Sequence, residues 1–178
     1  MAASDPDAES SDDRALRLLI NTPVTLFWRT AILEETTAWL SAHGYQVTRI
    51  DAAHWSTERD LHRDIAAALS FPDHYGRNLD ALNDCLRDVA GQVYGWAPGT
   101  AGLAIVFTGY DAFARCCPHA ALAVLDTMAG ASRRAALFGR RLMCLVQSDD
   151  PDIRFDPVGA TPVVWNDAER LEARRRPD

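Results

Sequence analysis

Two short runs, Leu103–Phe107 (LAIVF) and Leu142–Val146 (LMCLV), constrain the fold most. Neither alternates with polar residues, so neither can present one face to water. A strand apolar on both faces belongs inside a mostly parallel sheet covered by helices on each side. Pro118–Leu137 lies between the two runs with Ala121, Leu122, Leu125 and Met128 at helical spacing, and Gly130 could split it. This helix is the crossover that two parallel strands require. Upstream, Val24–Trp28 (VTLFW) reads as a buried strand. Ala31–His43 reads as a helix burying Ile32, Leu33, Thr36, Trp39 and Leu40, with Gly44 just past its end. Tyr45–Asp51 alternates, with Tyr45, Val47 and Arg49 on one side. Strand, helix and strand in this order predict a βαβ unit whose two strands pair in parallel. The expected fold class is α/β, in three layers, with a mostly parallel sheet of about four strands.

Between these elements lie two more helices. Ser56 is the expected N-cap of a helix over Thr57–Leu69 that buries Leu61, Ile65, Ala68 and Leu69, with no capping box because Arg59 stands three residues later. His62 falls one residue from that stripe and reads as a partly exposed helix histidine rather than a ligand. The helix stops at Phe71–Pro72, since a residue before proline avoids the α region. Pro72 and Gly76 then punctuate a turn, and Asn78 is a good N-cap. Leu79, Leu82, Leu86 and Val89 form the apolar stripe of the following helix. Asp80, Asn83, Asp84, Arg87 and Asp88 fall on its other side. Asp80 and Asp84 share a face, and like charges at that spacing oppose helix formation by about 0.2–0.5 kcal/mol. Asp80 is excused by the dipole of the first turn. Asp84 is not, so it is either an ordinary solvated residue or one kept for a cationic partner.

The formal net charge is −7. An acidic balance argues against nucleic acid as a partner and suits a basic protein. Five of the acids, Asp5, Asp7, Glu9, Asp12 and Asp13, sit in a stretch nearly devoid of large apolar residues, so residues 1–14 are expected to be a disordered acidic tail. Ala15–Ile20 fits a short helix or an edge strand. The first apolar run, Leu18–Ile20, is too short for a signal peptide, and no segment approaches the roughly 18 apolar residues of a membrane span. Cys85, Cys116, Cys117 and Cys144 lack the density of a disulfide scaffold. These features predict a cytoplasmic protein with reduced thiols.

Ala90–Gly102 reads as a long loop in which Tyr94 and Trp96 serve either a partner or a flap packed on the core. Arg133, Arg134, Arg140 and Arg141 cluster near the end of the long helix, where cations suit its dipole. Pro151–Thr161 reads as a loop, Val163–Trp165 as an edge strand and Ala168–Arg176 as a short charged helix. No phosphate-binding glycine loop or nucleophile elbow occurs. Cys116-Cys117-Pro118-His119 invites a metal or thiol reading, but adjacent cysteines do not easily share a tetrahedral ion. Buried cysteines at a helix start are the expectation. His74 with Asp80 or Asp84 is a conceivable acid–base pair, yet an exposed helix aspartate has no reason for a raised pKa.

Pro72, Tyr75, Gly76, Asn78, Leu79, Asp80, Ala81, Leu82, Asp84, Cys85 and Leu86 resemble the signature of the barstar family, Pro-x-x-Tyr-Gly-x-Asn-Leu-Asp-Ala-Leu-x-Asp-Cys-Leu. Barstar inhibits the ribonuclease barnase inside the cell that makes it. The resemblance runs from Tyr45 to Gln147. It implies a barstar-like core over residues 45–148 and covers neither the N-terminal 44 residues nor the C-terminal 31; outside it, residues 15–44 read as an N-terminal β-α extension of the same domain that adds one strand, and 149–178 as a C-terminal loop, edge strand and short helix. It also implies a non-catalytic protein, without cofactor or metal, that is monomeric when free. Such a protein blocks a basic secreted ribonuclease with an acidic helix and the preceding loop, its carboxylates standing in for RNA phosphates. The partner-binding residues so implied are His74, Tyr75, Gly76, Asn78, Leu79, Asp80, Asn83 and Asp84, with Asp84 entering the phosphate site. Three positions depart from the family. His74 stands where a tyrosine is usual, Asn83 where a tryptophan is, and Arg77 where an acid is. Arg133 and Arg134 likewise stand where the best-known member of the family contributes another acidic contact. These departures count against barnase itself as the target and leave a barnase-like or other ribonuclease, or a toxin, open. They also keep open a barstar-like module that regulates a partner which is not a nuclease.

Overall fold

The computed structural model describes Ala15, Arg17, Leu18 and residues 22–175. Ala15, Arg17 and Leu18 are helical; the tail expected over residues 1–14 lies outside the described residues. Five strands, β1 (Val24–Phe27), β2 (Tyr45–Asp51), β3 (Gly102–Thr108), β4 (Leu142–Gln147) and β5 (Val164–Trp165), form one sheet in the order β2-β3-β4-β1-β5, and every pairing is parallel. The helices are α1 (Thr30–Ala42), α2 (Glu58–Ala68), α3 (Leu79–Ala90), α4 (Tyr110–Cys116) and α5 (Pro118–Leu137), and a 3-10 turn spans Glu172–Arg175.

The apolar runs occupy the centre of the sheet because both of their faces are covered. Leu103, Ile105 and Phe107 of β3 and Leu142, Cys144 and Val146 of β4 enter a large core with α2, α3, α4 and α5. Ala104, Val106, Met143 and Leu145 point the other way, into a smaller core with Leu33 and Leu40 of α1. The fold is thus α/β in three layers, with α1 and the helical Ala15 and Leu18 on one face and α2, α3, α4 and α5 on the other.

The sheet departs from the sequence expectation in one important respect. β1 and β2 do not pair: β1 lies between β4 and β5, and two strands separate it from β2. The connection through α1 therefore crosses two strands. All six residues of β4 are buried, and β1, whose four residues are buried as well, pairs along the edge of β4 opposite β3. β5 then covers the outer edge of β1, giving five strands where about four were expected. α1 has no side-chain cap of its own. Fully buried Glu169 supplies one, accepting the Trp28 and Arg29 backbone N–H groups at 3.0 and 2.8 Å.

Other local readings are corrected by the structure. The N-cap of α2 is Thr57, not Ser56, and Asp60 reaches back to accept from the Ser56 and Thr57 N–H groups at 3.1 Å each. Those bonds, the Ser56 one foremost, hold the Asp60 carboxyl at about 2. His62 is buried, not partly exposed, while Ala68 and Leu122 are only half-buried. α5 runs unbroken through Gly130. Cys116 is exposed and Cys117 half-buried, so neither is a buried helix-start cysteine. Burial nonetheless raises the Cys117 thiol pKa, which opposes a reactive thiolate. The charged helix expected over Ala168–Arg176 is only the 3-10 turn. No helix among the described residues is long and apolar enough to cross a membrane.

Candidate functional site

The loop after α2 is folded by aromatic packing rather than by its polar residues. The Tyr75 N–H closes a turn onto the Pro72 carbonyl at 2.9 Å. Phe71 packs edge-to-face on Tyr75, with ring centroids 5.0 Å apart, and on Tyr94 at 5.9 Å. The Tyr75 hydroxyl lies 2.6 Å from His62 Nδ1 inside the core. Burial pushes the Tyr75 phenol pKa up and the His62 imidazole pKa down. Tyr75 thus holds the loop from below and is buried, not displayed. Its neighbours His74, Gly76 and Arg77 are exposed.

The backbone turns at an unexpected residue. Gly76 was the natural candidate for an unusual conformation, but the left-handed residue is Arg77, at φ +49°. A side chain larger than Asn or Asp rarely adopts this region, because its Cβ meets the following carbonyl. Gly76 serves closeness instead. A Cβ there would stand 3.3 Å from both Ala81 Cβ and Asn78 Nδ2, tighter than ordinary contact.

From this turn Asn78 starts α3, its side-chain oxygen accepting the Ala81 N–H at 2.8 Å. Leu82, Leu86 and Val89 are fully buried and Cys85 nearly so, while Leu79 is half-buried. Their registry turns Asp80, Asn83, Asp84, Arg87 and Asp88 outward, and all five are exposed. Asp84 keeps 74% of its side chain in solvent. Its one ion pair, with Arg87 one turn on, is long at 3.5 Å. The structure therefore brings His74, Gly76, Asn78, Leu79, Asp80, Asn83 and Asp84 to one continuous loop-and-helix surface and puts Tyr75 beneath it.

Sequence reasoning undervalued the loop over residues 91–101. Trp96 is buried and donates its indole N–H to the Val89 carbonyl at 2.7 Å, and Tyr94 donates to the Cys85 carbonyl at 3.2 Å. Of the two roles open to these aromatics, the structure shows the flap packed on the core. Gln46 fastens the flap by donating to the Gly95 carbonyl at 3.0 Å and accepting from Ala97 N–H at 2.9 Å. The run of two aromatics beside Gly95 was the available signal.

No hydrogen bond joins His74 to Asp80 or Asp84 among the described residues. Hollows of about 470 and 640 Å³ include no residue of the loop or of α3. No group of three His, Cys, Asp or Glu side chains among the described residues is placed to hold a metal ion. What the arrangement does offer is a row of unburied carboxylates on a rigid helix, available to cationic groups of a macromolecule.

Comparison with known proteins supplies a family. Residues 45–147 match the model of the family described as Barstar (barnase inhibitor). A Bacillus subtilis (strain 168) protein named "Putative ribonuclease inhibitor YrdF" is 54% identical over 37 residues, a match covering 21% of this chain and 41% of that protein. The chain thus spans less than half the length of that relative. β1, α1 and β5 all lie outside the family match. With its matched segment exceeding half of its length and carrying the loop and α3, the chain belongs to the barstar family of barnase inhibitors.

Proposed function

We propose that this protein inhibits a basic ribonuclease by inserting α3 and the preceding loop into the enzyme's RNA-binding cleft. The reading makes it a non-catalytic binding protein, kept in the cytoplasm of a cell that secretes the nuclease. Family membership supports a barnase-inhibitor-like role. The single observation that carries the finer reading is the exposure of Asp80 and Asp84 one turn apart on α3. An Asp in mid-helix is a poor helix former, and two at this spacing repel. Among the described residues Asp84 is offset only by the long Arg87 contact. Cations lining a nuclease's phosphate sites would meet this pair in place of RNA.

His74, Asn83 and Arg77 lie on the same surface as the two acids. They alter the rim while leaving the central anions in place. The reading therefore concerns a nuclease of the barnase type and not barnase in particular.

The test is RNA cleavage by purified basic bacterial ribonucleases, barnase among them, titrated with the full chain. Stoichiometric inhibition of at least one enzyme is the expected result. RNA binding by the protein itself at moderate salt would count against the reading. Failure to inhibit any of the enzymes, with retained binding to an unrelated protein, would favour a module that regulates something other than a nuclease.

A further inference from the structure

Four large apolar side chains among the described residues are exposed: Val93 (70%), Leu137 (84%), Phe138 (54%) and Leu171 (63%). Val93 and Phe138 stand on two segments, the loop after α3 and the end of α5, that one side-chain hydrogen bond joins. Gln92 accepts from Arg140 Nε at 3.3 Å, and the same guanidinium lies 5.5 Å from the centre of the Phe138 ring. Val93 and Phe138 thus flank a Gln92–Arg140 bridge, with Leu137 beside Phe138 at the end of α5.

The patch is built to hold its shape. Gln92 has φ +61°, a left-handed conformation that costs a non-glycine residue and persists only where surrounding contacts enforce it. Here both ends of its amide are engaged, since Nε2 donates to the Ala97 carbonyl at 3.0 Å while Oε1 accepts from Arg140. Trp96 and Gln46 pin the rest of the loop to the core. The loop thereby presents an apolar knob to solvent on a rigid, strained turn, and rigidity lowers the entropy lost on binding. The patch also continues the acidic surface. Val93 N–H donates to the Asp88 carbonyl at 3.0 Å, and the Tyr94 hydroxyl lies 3.4 Å from the Asp88 carboxylate.

We infer that Val93, Phe138 and Arg140 form a second contact region for the same ribonuclease, which must carry an apolar hollow with an anionic group beside its cationic cleft. The inference rests on the active-site reading of α3. Continuity through Asp88 selects the nuclease as occupant, because a partner seated on Asp84 and Asp88 reaches Val93 next. The chemistry of this region differs from that of α3, so it sets which nuclease is accepted.

The experiment measures binding of the full chain to the ribonucleases of the inhibition assay, by calorimetry at several salt concentrations. Val93→Ser and Phe138→Ser should each weaken binding to the inhibited enzyme about tenfold, the scale of one buried apolar side chain. Their salt dependence should equal that of the unmodified chain, because no charge is altered. Asp84→Ala should weaken binding and also flatten the salt dependence. Val93→Asp is the second variant. It adds attraction to a basic enzyme, so weaker binding isolates the lost apolar contact. Leu171→Ser is the remote control and should change nothing, and unfolding midpoints establish that each variant is folded. Serine variants and Val93→Asp that bind within twofold of the unmodified chain, while Asp84→Ala fails, would overturn this inference and leave the α3 reading standing. If no enzyme is inhibited, both fall.

Discussion

His62 Nδ1 and the Tyr75 hydroxyl lie 2.6 Å apart, joining the middle of α2 to the loop that precedes α3. The second ring nitrogen, Nε2, is buried and has no hydrogen-bond partner among the described residues. The rings also meet edge-to-face, with centroids 5.7 Å apart. A neutral imidazole can keep Nε2 free of a proton by donating Nδ1–H to the Tyr75 hydroxyl, whereas an imidazolium places both a charge and an unpartnered Nε2–H in the core. The cause of the lowered His62 pKa is mainly burial, opposed in part by the charge of Glu58 on the same helix.

The first prediction concerns pH. Because burial holds the folded-state pKa of His62 below the ordinary value of 6.5, the unfolded chain binds this proton more readily than the fold does. Stability should therefore be complete above that value and fall as pH drops towards the lower folded pKa. Asp60, held at about 2, contributes in a separate window, its share being lost as pH falls from 3.8 through the folded value. Urea unfolding measured from pH 7.5 to 4.5 should show decreasing stability for the unmodified chain. His62→Gln, which keeps a polar partner for Tyr75 but does not titrate, should flatten that dependence. An unchanged slope would show that His62 is not its source.

The second prediction concerns the cap supplied from far along the chain. Glu169 accepts from Trp28 and Arg29 at the start of α1 and from the Asn166 side chain, while its own carbonyl accepts from Arg175 at 2.7 Å. The carboxylate also faces the positive end of the α1 dipole. Glu169→Ala removes charge-assisted bonds and leaves two N–H donors to water or to nothing, a loss on the order of 3 kcal/mol. Glu169→Gln should lose less. Chemical denaturation reads both, and a loss below about 0.5 kcal/mol for the alanine variant would mean that the cap is dispensable.

How legible these features were in sequence depends on the range of the interaction behind each. The apolar runs of β3 and β4 and the Leu82–Leu86–Val89 stripe of α3 are periodic, and periodicity follows from burial alone. The position of β1 is not periodic information. Nothing in VTLFW states whether its neighbour is β2 or β4, and pairing with residues 142–147 decides it. His62 stands one residue from an apolar stripe, so its burial depends on Tyr75, thirteen residues later. Thr57 and Ser56 are equally good caps locally, and Asp60 chooses between them. Within the candidate site, the exposed acids were legible because they oppose the stripe. The left-handed Arg77 and the apolar patch at Val93 and Phe138 were not, since both depend on how a turn is held by residues elsewhere.

The third prediction tests a glycine whose necessity is geometric. Gly109 caps α4 at φ +60°, and its N–H donates to Gln147 Oε1 at 2.8 Å. An added Cβ would lie 2.6 Å from Ala53 Cβ and 3.0 Å from Ala53 Cα. Backbone atoms on that side cannot swing away, so Gly109→Ala must displace the connection between β2 and α2. The left-handed conformation adds a further cost of about 1–2 kcal/mol. A destabilisation of about 2–4 kcal/mol is expected from conformation and overlap together. Gly99→Ala is the comparison, because Gly99 has φ +83° but nothing within 4 Å. It should show the conformational cost alone, and equal losses in the two variants would remove the overlap from the account.

The fourth prediction separates folding from binding at Asp84. Its side chain is 74% exposed, it caps nothing, and its contact with Arg87 is 3.5 Å long in full view of solvent. Exposed pairs of this kind contribute little. Asp84→Ala also gains helix propensity and removes repulsion from Asp80, so unfolding stability should stay within about 0.5 kcal/mol or rise. Binding should respond in the opposite way. In a complex that buries α3, the partner's cations lose their water to this carboxylate. Truncating it leaves them desolvated and unpaired, at a cost of about 2–5 kcal/mol, or roughly 30- to 4,000-fold in affinity. Asp84→Asn is the informative companion, since it keeps shape and hydrogen-bonding capacity but removes the charge. If Asn restores binding, a neutral hydrogen bond suffices and phosphate mimicry is the wrong description. If Asn fails as Ala does while both variants unfold like the unmodified chain, the negative charge itself is what the partner requires.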